Sequence, residues 1–564
     1  MKVKPLPVGV DDFEQLITNN YYFVDKTMLI RELLEKKGDV NLFTRPRRFG
    51  KSLNMSMLRY FFEDDRNSSG EKTDHAQLFQ GLSIMRSGEE YLRHMGNYPV
   101  IALSLKAAKQ EDFQQSFDAL KETLAEEFDR HSYILKSECL AGRRKEKYIA
   151  LMEMTANRSD YNTSLRFLSK CLRDYHGQKT VILIDEYDVP LESAHFHRYY
   201  PQMSAFIRSL FESALKTNPN LEFAVLTGCL RISRESIFTG MNNLKIISVL
   251  NKNYDEHFGF ASDEVRQMCE DYGMLEKYDT IKEWYDGYVF GDANVYNPWS
   301  VVLYMSDLLA DRDELPASYW ANTSSNSIVR SLIERADRNT KDEIERVIDG
   351  KTVEKPVHED ITYGEIYSSM DHLWNFMFFT GYFRKEGERM EAGQKYITLA
   401  IPNEEVRCIF RSKVMGWFRE EVGKRDLSRL FGALTGRDTA VMREEIEIML
   451  WTTISYHDYY ESFYHGFLAG ILYGMEGYVV KSNREGGTGR TDLFIRPVSR
   501  RRTAYVVEFK VAERYEDLGR KAEEALRQVE EKSYERELRD EGYTSIVRYG
   551  ISFFGKDCEV KVYS

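Results

Sequence analysis

Five short runs in the first half of the chain are apolar without alternation: VNLFT from Val40, YPVIALSL from Tyr98, TVILIDEYD from Thr180, LEFAVLTG from Leu221 and LKIISVL from Leu244. A strand that is apolar at every position is buried on both faces, the signature of a parallel sheet covered by helices. Amphipathic stretches such as LNMSMLRYFF separate the runs. Residues 1–254 therefore read as an α/β domain. From 255 to 355 the pattern turns helical and charged, with aromatic clusters at Trp284-Tyr285-Asp286-Gly287-Tyr288 and Asn297-Pro298-Trp299, as expected of a helical lid or packing module. Residues 356–455 give an apolar helix around LWNFMFF, a hairpin through GYFRKEGERMEAGQKYITLAIPN and a helix from Glu404, an order that resembles a winged-helix unit. Residues 456–564 read helix, strand, turn, strand, helix, strand, a domain of their own.

The loop Phe43-Thr44-Arg45-Pro46-Arg47-Arg48-Phe49-Gly50-Lys51-Ser52 joins a predicted strand to a predicted helix. That context suits a phosphate-binding loop, because backbone N–H groups and a helix N-terminus converge on the anion. Lys51 is placed to reach β and γ phosphates and Ser52 to ligate Mg²⁺. Arg45 stands where G-x-x-x-x-G-K-[ST] has its first glycine, and Arg45, Arg47 and Arg48 add positive charge; the bland alternative is a basic loop ahead of a helix. A second run, Val181–Asp188, ends an apolar strand in acids: Asp185 would hold Mg²⁺ through its water shell and Glu186 would activate a water. A third strand ends at Thr227, a candidate γ-phosphate sensor, with Arg231 and Arg234 following as candidate phosphoryl-stabilising cations or plain salt-bridge partners.

Near the C-terminus, Glu508 and Lys510 lie two apart on a predicted strand and so share one face. If the preceding strand forms a hairpin with it, Asp492 lies beside Glu508; two carboxylates then bind Mg²⁺ and Lys510 positions the attacking water for phosphodiester cleavage. Glu461 on an upstream helix is a candidate third carboxylate, and Gln528 on a downstream helix a candidate contact either to the site or to a nucleic-acid phosphate. A lone E-x-K is usually a solvated face; the ordered set is far more specific.

Composition narrows the partners. The 564 residues are 42% hydrophobic, and 78 Lys and Arg against 90 Asp and Glu give a net charge of −12, which excludes a simple polycation coating nucleic acid. Residues 456–564 hold 18 basic against 19 acidic residues, so the acidity belongs to the rest and nucleic-acid binding would be a local, metal-assisted groove. Six scattered cysteines without a C-x-x-C pair suggest neither zinc nor disulfides. No signal peptide or membrane-spanning run is visible, and a soluble cytoplasmic protein is expected.

The segments YYFVDKT, FTRPRRFGKSL, VILIDEYD and TGCLRISRESIFTGMNN resemble the bacterial family of predicted AAA-ATPase-like proteins, and ESFYHGFLAGIL, GRTDLFI, VVEFK and RQVEEKSY resemble the PD-(D/E)XK nuclease superfamily domain that closes many such chains. Arg at the first-glycine position is itself the family's pattern. The resemblance implies an ATP- and Mg²⁺-dependent ATPase coupled to a metal-dependent nuclease acting on nucleic acid, chiefly DNA, with Mg²⁺ or Mn²⁺ and with self-assembly open, in defence against or processing of foreign DNA. The alternative is a signalling or assembly NTPase whose last domain binds nucleic acid or a partner without cutting.

Overall fold

A computed structural model describes residues 4–230, 237–238, 241–320, 332, 334–359, 361, 363, 365–366, 368–412, 426–452, 461–473, 475–482, 493–531 and 535–563. The chain divides into two compact units, 1–323 with 354–407, and 324–353 with 408–564.

In the first unit, strands β1 (Val40–Thr44), β2 (Val100–Ser104), β3 (Thr180–Asp185), β4 (Leu221–Gly228) and β5 (Leu244–Ile247) form one sheet in the order β2-β3-β4-β1-β5. Every pairing is parallel. All five residues of β1 and all six of β3 are buried, which is why their sequences lack alternation. The helix Lys51–Phe62 follows β1 directly and lays Met55, Leu58, Phe61 and Phe62 inward, with Phe62 edge-on to Phe223 of β4 at 5.3 Å. Because the strands are parallel, the ends of β1, β3 and β4 open on one side of the sheet, the place where ligands bind in such folds.

The same unit carries a small hairpin, β6 (Tyr288–Phe290) with β7 (Ala293–Val295), and the helix Pro298–Ala310. Further on, the helix Met370–Phe379 precedes the antiparallel pair β9 (Arg384–Glu391) and β10 (Gln394–Ala400), which β8 (Val353–Pro356) extends to three strands. Cations of that hairpin pair with acids of the same sheet, Lys395 with Glu388 of β9 at 2.9 Å and Arg389 with Glu354 of β8 at 2.6 Å.

The second unit holds a mixed sheet in simple order, β11 (Tyr478–Ser482), β12 (Leu493–Pro497), β13 (Ala504–Val511), β14 (Ile546–Phe554) and β15 (Asp557–Tyr563). Only β13 and β14 pair in parallel, and the helix Leu518–Glu531 crosses between them. Tyr505, Val507 and Phe509 face a core built with the helices Ser428–Gly436, Thr439–Thr452 and Glu461–Leu472. Ala504 and Val506 face the other way, onto Val529 of the crossing helix. Among the described residues, no helix is long and apolar enough to cross a membrane.

Candidate active sites

At the ends of β1, β3 and β4 three side chains from distant parts of the chain meet. Ser52, the second residue of its helix, donates to Asp185 Oδ2 at 2.6 Å. Thr227 donates to the other carboxylate oxygen, which also accepts from the Glu186 N–H at 3.0 Å. The strand order explains the meeting, because β4 lies between β1 and β3 and so places Thr227 between the two loops. A serine hydroxyl against an aspartate at a phosphate loop is an oxygen set suited to Mg²⁺, which takes one or two protein oxygens and keeps several waters.

Gly50 has φ +77°, a conformation that glycine adopts without cost, and caps the helix Lys51–Phe62. Lys51 folds back onto its own loop, donating to the carbonyls of Arg45 at 3.0 Å and Pro46 at 2.8 Å. Those carbonyls hold the ammonium in place. Glu186 sits at φ +51°, strained for a non-glycine residue, as functional residues often are. Burial, and then the charge of Asp185, pushes its carboxyl above the usual range, which favours a proton acceptor working nearer neutrality.

The three loop arginines part company. Arg45 was expected to add charge toward an anion; instead its guanidinium is fully buried and donates to the carbonyls of Thr44 (2.9 Å), Ile247 (3.1 Å) and Tyr254 (3.2 Å). The carbonyls at the end of β5 and just beyond it outcompete solvent for its donors, so this side chain ties the loop to the sheet. Burial lowers its pKa to about 9. Arg47 pairs with Glu192 at 2.5 Å. Arg48 is exposed and lies over the Trp299 ring at 4.0 Å. Arg231 and Arg234 lie outside the described residues.

In the second unit Glu508 and Lys510 share the face of β13 that the helix Leu518–Glu531 covers. Gln528 of that helix donates to Glu508 Oε1. The contact is possible because Gly550 stands opposite Glu508 in the register: a Cβ there would strike the carbonyl oxygen of Ala522. Ser552, opposite Lys510, fastens the start of the helix by donating to Leu518 O at 2.6 Å. Glu508 is buried, with 1% of its surface exposed. Leu493 pairs with Val507 across β12 and β13. Asp492 lies outside the described residues, as does the side chain of Glu461, whose helix packs on the opposite face of the sheet. No group of three or more metal-ligating side chains occurs among the described residues.

Residues 7–238 match the family model of predicted AAA-ATPases, and residues 459–563 match that of the PD-(D/E)XK nuclease superfamily. The two matches follow the expected layout, a segment similar to predicted AAA-ATPases ahead of one similar to PD-(D/E)XK nucleases. A protein of Azotobacter chroococcum mcd 1, named as an uncharacterized protein in the vnfD 5′ region, is 25% identical over 561 residues, 96% of this chain and 95% of its own. No solved structure matches the chain.

The first unit also places at this site residues whose part the sequence pattern leaves unremarked. Asp188, three after the Mg²⁺-type aspartate, accepts from the Cys229 and Leu230 N–H groups at 2.8 and 3.1 Å and so shapes the loop leaving β4. Gly228 is the only residue type that fits beside the Tyr187 ring, since a Cβ would overlap it. The signal for Asp188 is the DEYD string itself, in which it is the third acid.

Proposed function

We propose that the protein hydrolyses ATP at the Lys51, Ser52, Asp185 and Glu186 site and cleaves nucleic acid, DNA in particular, at the Glu508 and Lys510 site, with ATP turnover regulating cleavage. The observation that carries the first half is the contact of Ser52 with Asp185 at the shared end of β1 and β3. Lys51 would exchange its two loop carbonyls for phosphate oxygens, and Gly50 lets the chain curl so that the helix N-terminus faces the anion. Glu186 would take the proton of the water that attacks the γ-phosphorus, and Thr227 would sense the γ-phosphate through Asp185. Mg²⁺ bound at Ser52 and Asp185 supplies charge neutralisation for the phosphates.

For the second half, Glu508 and Lys510 supply a carboxylate and a cation on one strand face, with Gln528 orienting the carboxylate. Asp492 stands immediately before Leu493, the partner of Val507, and Glu508 immediately after Val507; this neighbourhood supports Asp492 as the second metal carboxylate. Glu461 is proposed as a third. The metal, Mg²⁺ or Mn²⁺, would activate the water whose orientation Lys510 sets. A cytoplasmic role in defence against or processing of foreign DNA follows the family-level expectation. The test is incubation of the full chain with plasmid and linear DNA in Mg²⁺ and ATP. Cleavage lost in EDTA and in Glu508→Ala and Lys510→Ala supports the proposal; full cleavage by those variants refutes the site.

A further inference from the structure

Of the three loop guanidiniums, two are already committed: Arg45 to buried carbonyls and Arg47 to Glu192. Arg48 is different. It is held at φ +72°, a left-handed conformation that is strained for a non-glycine residue. Among the described residues it has neither an ion-pair partner within 4 Å nor a hydrogen bond, and the carboxylates whose charge it feels are Glu186 and Asp11. What fixes it is the flat face of Trp299, 4.0 Å away. A guanidinium stacked on an aromatic ring keeps its N–H donors in its own plane, free to bind an anion, while the ring removes its freedom to wander.

The platform is itself anchored. Asn297 caps the helix Pro298–Ala310 by accepting from the Trp299 N–H at 3.0 Å. The next residue, Ser300, donates to both oxygens of Glu405 at 2.9 Å, and the same carboxylate accepts from the Trp320 N–H at 2.9 Å. Phe49, next to Arg48, is wedged between Tyr288 and Phe290 at 4.9 and 5.1 Å.

We infer that Arg48 is a catalytic residue, the cis-acting cation that stabilises the phosphoryl group in transit, and that Trp299 is its positioning residue. In the step, a water oxygen bonds to the γ-phosphorus while the bond to the β–γ bridging oxygen breaks. Glu186 takes the water's proton, ADP leaves with the electron pair, and Arg48 exchanges no proton. Negative charge spread over the three equatorial oxygens is what a planar, multiply donating cation stabilises. The inference rests on the ATPase reading of this site.

Steady-state phosphate release and equilibrium binding of a fluorescent ATP analogue, both on the folded full chain with Mg²⁺, test it. Arg48→Ala should lower kcat by about 10²-fold or more with analogue affinity within about threefold, and Arg48→Lys should restore little of it. Trp299→Ala should lower kcat by about tenfold at unchanged KM, and Trp299→Phe, which keeps an aromatic face, should recover most of the loss. Arg48→Ala with kcat within twofold of wild type, while Lys51→Ala abolishes turnover, would overturn the role of Arg48 and leave the ATPase reading standing. A wild-type chain that binds no ATP analogue would overturn both.

Discussion

Ser52 and Asp185 lie 133 positions apart and are joined by a 2.6 Å hydrogen bond, so the loop after β1 and the end of β3 are one site. Among the described residues Asp185 accepts from three donors, Ser52, Thr227 and the Glu186 N–H. Ser52→Ala removes a Mg²⁺ ligand and leaves the loop's anion contacts in place. Affinity for MgATP should fall by about tenfold, while affinity for ATP in EDTA stays within about twofold. Equal losses with and without Mg²⁺ would contradict this division of labour.

Arg45→Gly recreates the glycine that the phosphate-loop pattern calls for, yet it should harm the protein. Removing the guanidinium strands the carbonyls of Ile247 and Tyr254, at a cost of about 3 kcal/mol together. The thermal unfolding midpoint should fall, and nucleotide binding should weaken. Tighter nucleotide binding at unchanged stability would show that Arg45 merely stands in for glycine.

This arginine also marks where sequence reading stops. The strands, the Gly50-Lys51-Ser52 turn and the shared face of Glu508 and Lys510 are legible because they depend on neighbours a few positions away or on strand periodicity. The direction of Arg45 is decided by carbonyls 202 and 209 positions downstream. Trp299 lies even farther from Arg48, and its role depends on how the helix Pro298–Ala310 docks, which no local pattern encodes. Gln528 is legible only as a contact either to the site or to a nucleic-acid phosphate, and Gly550, which permits its contact with Glu508, gives no local signal.

Gly550→Ala should push the helix Leu518–Glu531 off β14, because the added methyl meets the Ala522 carbonyl and the Leu526 backbone nitrogen, with little room to yield. Unfolding of the second unit should be easier by about 2 kcal/mol, and DNA cleavage should drop together with the Gln528 contact. Gln528→Ala should lower cleavage by about tenfold with stability nearly unchanged. Cleavage at the wild-type rate in both variants would remove Gln528 from the site.

Glu405 is buried and has no cationic partner among the described residues, and burial raises its pKa to about 7. An unfolded glutamate titrates near 4.3, so the folded state binds the proton more tightly. Its contribution to stability is complete below about pH 4.3 and is lost as pH rises through about 7. Glu405→Gln keeps an acceptor for Ser300 and Trp320 without the charge. It should therefore raise the unfolding midpoint at pH 8, by the equivalent of up to about 4 kcal/mol, and leave it unchanged at pH 4. A variant equally shifted at both pH values would contradict the assignment.

The most direct test of the central claim is phosphate release from ATP by the purified full chain in Mg²⁺, compared with Lys51→Ala and Glu186→Gln. The account predicts turnover by wild type, loss of both binding and turnover in Lys51→Ala, and retained binding with turnover reduced by about 10²-fold in Glu186→Gln. Turnover at the wild-type rate in both variants would contradict it.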